Sequence, residues 1–199
     1  MRTLTIECAT EACSLALFDG DRLLDARHEM LGRGHAEQLV PLIASLPDKG
    51  RADTIRVSLG PGSFTGVRIG LAAARALGLA WRAQVLGYPT LALVAAGSRD
   101  GAPVLVCMAG GHGEWFVQSF AGGRPTSSLG SFAPDEAVAR HRASHVVGSR
   151  AEEFVALSGY GTAEQRLPEA AHALRLSPDL MTTTLVPLYG RAPDARLPG

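Results

Sequence analysis

The chain has 199 residues, 46% of them hydrophobic and 19% charged, and its 19 lysines and arginines balance its 19 aspartates and glutamates. That length and apolar content can bury a core in one domain or two small lobes, while the charge balance excludes a polyanion held by this chain through counterion release alone. Cys8, Cys13 and Cys107 are odd in number, apolar in context and without CxxC spacing, so they are expected to be reduced, interior thiols of a cytoplasmic protein. Glu7 and Glu11 interrupt the N-terminal apolar run and Arg75 and Arg82 the longest later one. Neither an export signal nor a membrane span is expected.

In chain order, residues 3–6, 13–18 and 22–30 have the composition of short strands, the last two joined at Asp19-Gly20, a pair that tolerates positive φ. Residues 35–46 carry Leu39, Leu42, Ile43 and Leu46 at helical spacing. Pro41 is expected to kink this helix or to sit near its first turn. A β-branched run over 54–59 leads into a glycine-containing loop and a long helix, Phe64–Trp81, whose Gly66, Gly70, Ala73 and Ala74 permit close backbone approach. A strand near Val85 and a helix over Thr90–Ala96 complete a pattern of three strands, helix, strand, helix.

Residues 103–108, 114–120 and 127–132 again have strand composition, followed by a helix from Pro134, a strand His145–Val147 and short helices at 151–157 and 168–176. The polar, glycine-containing stretch 97–101 separates the two copies. The expected architecture is α/β with two lobes of order βββαβα, residues 1–98 and 99–199, the second reduced.

The stretch SLGPGSFTGVRIG, residues 58–70, carries the most chemistry. It is not a Walker loop: counting from Gly60, the second required glycine falls on Thr65, and no lysine follows. Nor is it a dinucleotide fingerprint, because Gly60, Gly62 and Gly66 give GxGxxxG, one residue too long. What remains is an anion loop in which amides from Gly62 to Gly66 precede a helix N-terminus, with the Ser63 and Thr65 hydroxyls beside them and Arg68 one turn on. The alternative is a capped helix with a tight turn.

The run GPGSFTGVRIGLAAARALGLAW resembles the signature of the TsaB family, accessory proteins of bacterial threonylcarbamoyladenosine synthesis on transfer RNA. LTIECATEACSLALF, GHAEQLVPLI and PLYGRAPDAR agree with that family in order and spacing. The resemblance implies the actin-like ATPase (ASKHA) fold, with both lobes RNase-H-like, and a non-catalytic subunit that binds and activates a TsaD-like catalytic subunit. It also implies recruitment of a TsaE-like ATPase, homodimerisation in the absence of the partner, and contact with transfer RNA only through the complex. In TsaD the corresponding long helix is followed by a metal-binding HxxxH pair. Thr90 and Val94 occupy those positions here, and neither side chain replaces an imidazole, so no metal and no cofactor are expected.

The same resemblance makes the helical surface the expected partner interface: His35, Leu39, Leu42 and Ile43 on one helix, and Gly66, Ile69, Gly70, Ala73 and Leu77 on the other. Relatives usually carry Asp where this chain has Glu7, whose extra methylene is expected to reach farther into any nucleotide cleft. AGGHGEW leaves Ala109 and Gly111 where relatives often carry a DAR-type element, and Tyr189-Gly190-Arg191 keeps the outer residues of a terminal YLR. An independent actin-fold ATPase or a metallopeptidase-like enzyme is the competing class. His141 and His145 form HxxxH, but strand composition from Ser144 ends the helix between them, and no glutamate adjoins the first. Ser63 lacks a GxSxG elbow. Trp115, Phe116 and Phe120, without neighbouring cations, are expected in the core rather than stacked on bases.

Overall fold

The computed structural model describes residues 1–98 and 101–190. Part of the expected lobe boundary, and PLYGRAPDAR from Arg191 onward, lie outside the described residues.

Strands β1 (Arg2–Glu7), β2 (Ala12–Asp19) and β3 (Arg22–Met30) form an antiparallel meander, its second turn made at Gly20 with φ +57°. Helix α1 (His35–Ala44) carries the chain to β4 (Thr54–Ser58), and α2 (Phe64–Trp81) carries it to β5 (Gln84–Tyr88). Both later strands join in parallel, giving the order β3-β2-β1-β4-β5, because parallel neighbours need a long crossover and the two helices supply it. Helix α3 (Thr90–Ala96) ends the first half. That half therefore has one strand and one helix more than βββαβα.

The second sheet repeats the scheme with shorter elements: β6 (Val104–Ala109), β7 (Trp115–Ala121), β8 (Arg124–Pro125) and β9 (Gly130–Phe132), then α4 (Pro134–Arg140), β10 (His145–Val147), α5 (Ala151–Ser158) and β11 (Thr162–Glu164). Its order is β11-β10-β6-β7-β8, with β9 also on β7. Two sheets, each an antiparallel meander extended by parallel strands, define an α/β fold of the actin-like ATPase type.

Period-2 alternation divides the core. Leu105, Cys107, Trp115 and Val117 pack with Phe154 of α5 on one face of the second sheet. Val104, Val106, Met108, Phe116 and Phe120 point to the other, where they meet α3 and the Ala16, Phe18 and Tyr88 face of the first sheet. The aromatic residues of β7 are thus buried, on opposite faces. A third cluster joins Leu4, Ile6, Leu15, Leu17, Ile55 and Val57 to α1 and α2.

Four local expectations change. Pro41 lies in the middle of α1, and the helix continues to Ala44 before Leu46 turns inward ahead of Pro47. The strand expected over 127–132 shrinks to β9, because the Ser127 hydroxyl accepts the Ser119 amide and Thr126 N–H donates to the Ser119 carbonyl, giving a turn in place of a ladder. Residues 170–175 form a 3₁₀ segment and not an α-helix: Ala170 N–H donates to Ser14 Oγ at 2.9 Å, pinning the segment on β2, and Ala170 and Ala173 are fully buried. Strand β11, with the sequence Thr-Ala-Glu, gave no apolar signal because it is an exposed edge. Beyond it the chain returns to the first sheet, where Thr182 pairs with Gly87 and Leu188 N–H donates to the Leu59 carbonyl at 2.7 Å. Among the described residues no helix is long and apolar enough to cross a membrane.

Candidate functional site

The glycine loop is held from three sides. Gly60 N–H donates to Ser58 Oγ at 3.1 Å, Ser58 Oγ lies 2.5 Å from Thr90 Oγ1, and Thr90 N–H donates to the Gly60 carbonyl at 2.8 Å. The Ser63 amide donates to the Ala9 carbonyl at 2.7 Å. Ser63 is the N-cap of α2, its hydroxyl accepting the Gly66 amide at 3.2 Å. A Cβ at Gly62 would overlap the Ala9 carbonyl and one at Gly66 the Cys8 carbonyl, so these two glycines let the loop and the first turn of α2 lie directly on the β1–β2 connection.

Of the proposed anion-loop residues, the Ser63 hydroxyl and the Gly66 amide are thus bonded to each other, and Thr65 is exposed. Arg68 turns away from the loop amides. Its guanidinium lies 3.2 Å over the Phe64 ring and donates to the Tyr189 hydroxyl at 2.6 Å. This is the capped helix that the sequence left as the alternative, with Arg68 fastening the returning C-terminal segment. Arg75 does the same two helical turns on, donating to the Leu185 carbonyl at 2.6 Å.

In front of the loop a cleft of about 610 Å³ opens between the two sheets. Thr10 and Glu11, Ser63 and Phe64, and His112 and Tyr189 line its walls, with Ala109 and Gly111 on the second-sheet side. Glu7 does not reach into it. Its carboxylate folds into the interior, accepting the Ala9 amide at 2.7 Å and facing the Tyr88 hydroxyl at 3.4 Å, and the residue has no solvent exposure. Burial pushes its pKa up to about 7, against the opposing hydrogen bonds from Ala9, Ser58 and Tyr88. The same burial raises the Tyr88 phenol well above its ordinary value. A carboxylate in an otherwise apolar strand was the sequence signal for this buried site; its partner Tyr88, distant in sequence, gave none.

Thr90 and Val94 are buried in the shared core. Among the described residues no three His, Cys, Asp or Glu side chains gather as a metal site. His141 follows the last residue of α4 and His145 opens β10, so they do not share a helical face.

The expected interface set divides. His35, Leu39, Ile43, Gly66 and Gly70 are buried in the chain's own core. His35 Nε2 lies 3.2 Å from the Ala12 carbonyl, and a Cβ at Gly70 would sit 3.6 Å from both Cys8 Cβ and Val57 Cγ2. These five cannot line an accessible face, because the same small or apolar character that suggested a partner is used against the first sheet. Leu42, Ile69, Ala73 and Leu77 are half-buried beside that core. The solvent side of α2 carries Thr65, Ala72, Ala76 and Leu79, the last 85% exposed, and α1 adds Val40 at 57%.

The fold and this site define a protein of the actin-like type whose glycine loop is capped and bonded internally. Residues 28–176 match the family model described as TsaD: tRNA N6-adenosine threonylcarbamoyltransferase. Over 103 residues, 49% of this chain and 44% of the other, the sequence is 39% identical to the tRNA threonylcarbamoyladenosine biosynthesis protein TsaB of Escherichia coli. An uncharacterized Mycobacterium leprae protein is 32% identical over 97% of this chain and 55% of its own length. The chain thus spans about half the length of these curated relatives. A solved Pseudomonas aeruginosa protein, described as similar to peptidase YEAZ, superposes with a TM-score of 0.81 at 25% identity, covering 96% of this chain and 99% of that one. The chain belongs to the family that the TsaD model describes, and it is similar to TsaB and to the solved YeaZ-like protein.

Proposed function

We propose that this chain is the non-catalytic, activating subunit of a tRNA threonylcarbamoylation complex, docking a TsaD-like catalytic subunit through the outer side of α1 and α2. The observation that carries it is the solvent side of α2: a ridge of Ala72, Ala76 and Leu79, flanked by half-buried Ile69, Ala73 and Leu77 and by Leu42 of α1. Small side chains in such a row allow helices to approach closely, and the exposed Leu79 adds apolar surface that docking would bury. The chain works as a cytoplasmic protein of two lobes, 1–98 and 99–199, without cofactor or metal. A TsaE-like ATPase joins the heterodimer, transfer RNA contacts the complex rather than this chain alone, and the same ridge supports a homodimer when the partner is absent.

The loop chemistry supports the non-catalytic part. Ser63, Gly66 and Arg68 spend their polar groups inside the chain, which leaves Gly62 and Thr65 as a minor anion contact at most. Co-purification with the TsaD-like subunit and reconstituted modification of transfer RNA test the proposal. Modification should require both chains, while the isolated protein should turn over neither ATP nor peptide. Magnesium-dependent ATP hydrolysis by the isolated chain, lost in Arg68→Ala, would establish the ATPase alternative instead.

A further inference from the structure

Cys8 and Cys13 face each other across the turn end of the β1–β2 hairpin. The register pairs Glu7 with Ser14, so the next cross-strand position sets Cys8 opposite Cys13. Directly opposed residues have Cα atoms about 4.5–5.5 Å apart, within the span that a disulfide bridges. The two Sγ atoms are 3.8 Å apart, and both thiols are free and buried. Cys107 lies elsewhere, against Leu105, Val117 and Phe154 of the second sheet. For packing alone, two small apolar side chains would serve. What two opposed thiols add is the capacity to join.

We propose that Cys8 and Cys13 are a reversible redox pair, closed to an intrahairpin disulfide by a peroxide-class oxidant. The thiolate of one cysteine attacks a peroxide oxygen and breaks the O–O bond; with hydrogen peroxide the leaving hydroxide takes up the thiol proton and departs as water, leaving a sulfenic acid. The second thiolate attacks that sulfur, forming the S–S bond and expelling the sulfenic oxygen as a second water with the remaining proton. Two sulfurs lose one electron each and the peroxide gains both.

The hairpin end is one wall of the cleft and the seat of the glycine loop. Ala9, immediately after Cys8, accepts the Ser63 amide, while Gly66 abuts the Cys8 carbonyl. Drawing the sulfurs from 3.8 Å to a bonded distance of about 2.05 Å pulls on that seat, so the loop registers the oxidation state.

The test uses the full reduced chain, treated with hydrogen peroxide under native conditions, quenched by thiol alkylation and mapped by peptide mass spectrometry. A Cys8–Cys13 cross-linked peptide should form faster than Cys107 is modified, because only this pair has a resolving thiol 3.8 Å away, and should revert with dithiothreitol. Cys107→Ser should leave this unchanged, and Cys8→Ser should abolish it. If Cys8 and Cys13 remain alkylatable only after denaturation and unlinked, or if Cys107 oxidises as fast, the pair is packing and the proposal is overturned. Hydrogen exchange at the Ser63 and Gly66 amides should differ by at least about threefold between the two states. Identical exchange in a fully cross-linked sample would overturn the coupling to the loop.

Discussion

The two sides of α2 use the same residue types for opposite purposes. On the inner side Gly66, Gly70, Ala74 and Gly78 are buried, and there smallness is dictated by this chain's own backbone and strands. A Cβ at Gly66 would overlap the Cys8 carbonyl, and one at Gly78 would overlap Val85. On the outer side Ala72, Ala76 and Ala80 are exposed, and nothing among the described residues demands that they be small. A glycine- and alanine-rich helix therefore carries two separate requirements, and changing each side should give a different kind of failure.

The inner side should fail in folding. Gly66→Leu places a branched side chain where the hairpin backbone lies, and unfolding by urea should show a loss of about 3 kcal/mol or more, with partner binding lost in proportion to the unfolded fraction. A folded variant of near wild-type stability would mean that the hairpin yields easily and would erase the contrast between the sides. Gly70→Leu belongs to this class too, since its neighbours are Cys8 and Val57.

Beneath the same side, Glu7 sets a pH dependence. Its folded pKa of about 7 lies above the ordinary 4.5, so between those values the folded state holds a proton that the unfolded state has released. Stability contributed by this group is therefore full at low pH and falls as pH rises through that window, by about 3–4 kcal/mol in all. Glu7→Gln keeps an acceptor for the Ala9 amide and removes the charge. Its stability advantage over the wild type should be near zero at the acid end and grow toward pH 8, as followed by urea unfolding at fixed pH values. An advantage independent of pH would show that the carboxylate ionises normally.

The outer side should fail in association. Leu79→Glu puts a charge on a fully accessible ridge position, so stability should stay within about 0.5 kcal/mol while affinity for the TsaD-like subunit falls about tenfold to a hundredfold, or about 1.4–2.7 kcal/mol. Calorimetry or surface-bound titration reads the affinity, and unchanged affinity would remove this ridge from the interface. The smallest effect is expected at the hinge between the two sides. Ser63→Ala removes the N-cap of α2 and should cost about 1 kcal/mol of stability with binding and modification preserved. Loss of modification with binding intact would instead place chemistry in the loop.

Much of the fold was legible because its signals are local. The apolar alternation of β1, β2, β6 and β7, the helical spacing of α1, and the extents of α2 and α3 follow from periodicity, with Ser63 capping the start of α2. The motif of residues 60–81 identified the family for the same reason, since a run this long preserves its order. Less of the site was legible. Arg68 follows the loop at a spacing that suits an anion, yet Phe64 and a tyrosine 121 positions away hold it. Glu7 sits where a cleft carboxylate would stand, yet turns to Tyr88.

The sequence by itself determined most of the strands and helices, their repeated order, and the chemistry absent from the loop: a lysine and a Walker spacing, both of which can be counted along the chain. Only the tertiary structure decided which side of each small residue is used, where Glu7 points, and that Cys8 meets Cys13. Those outcomes depend on pairs of groups brought together by sheet register and by the returning C-terminal segment. Residue type constrains size and polarity, but the direction a side chain faces is fixed by the elements that close around it.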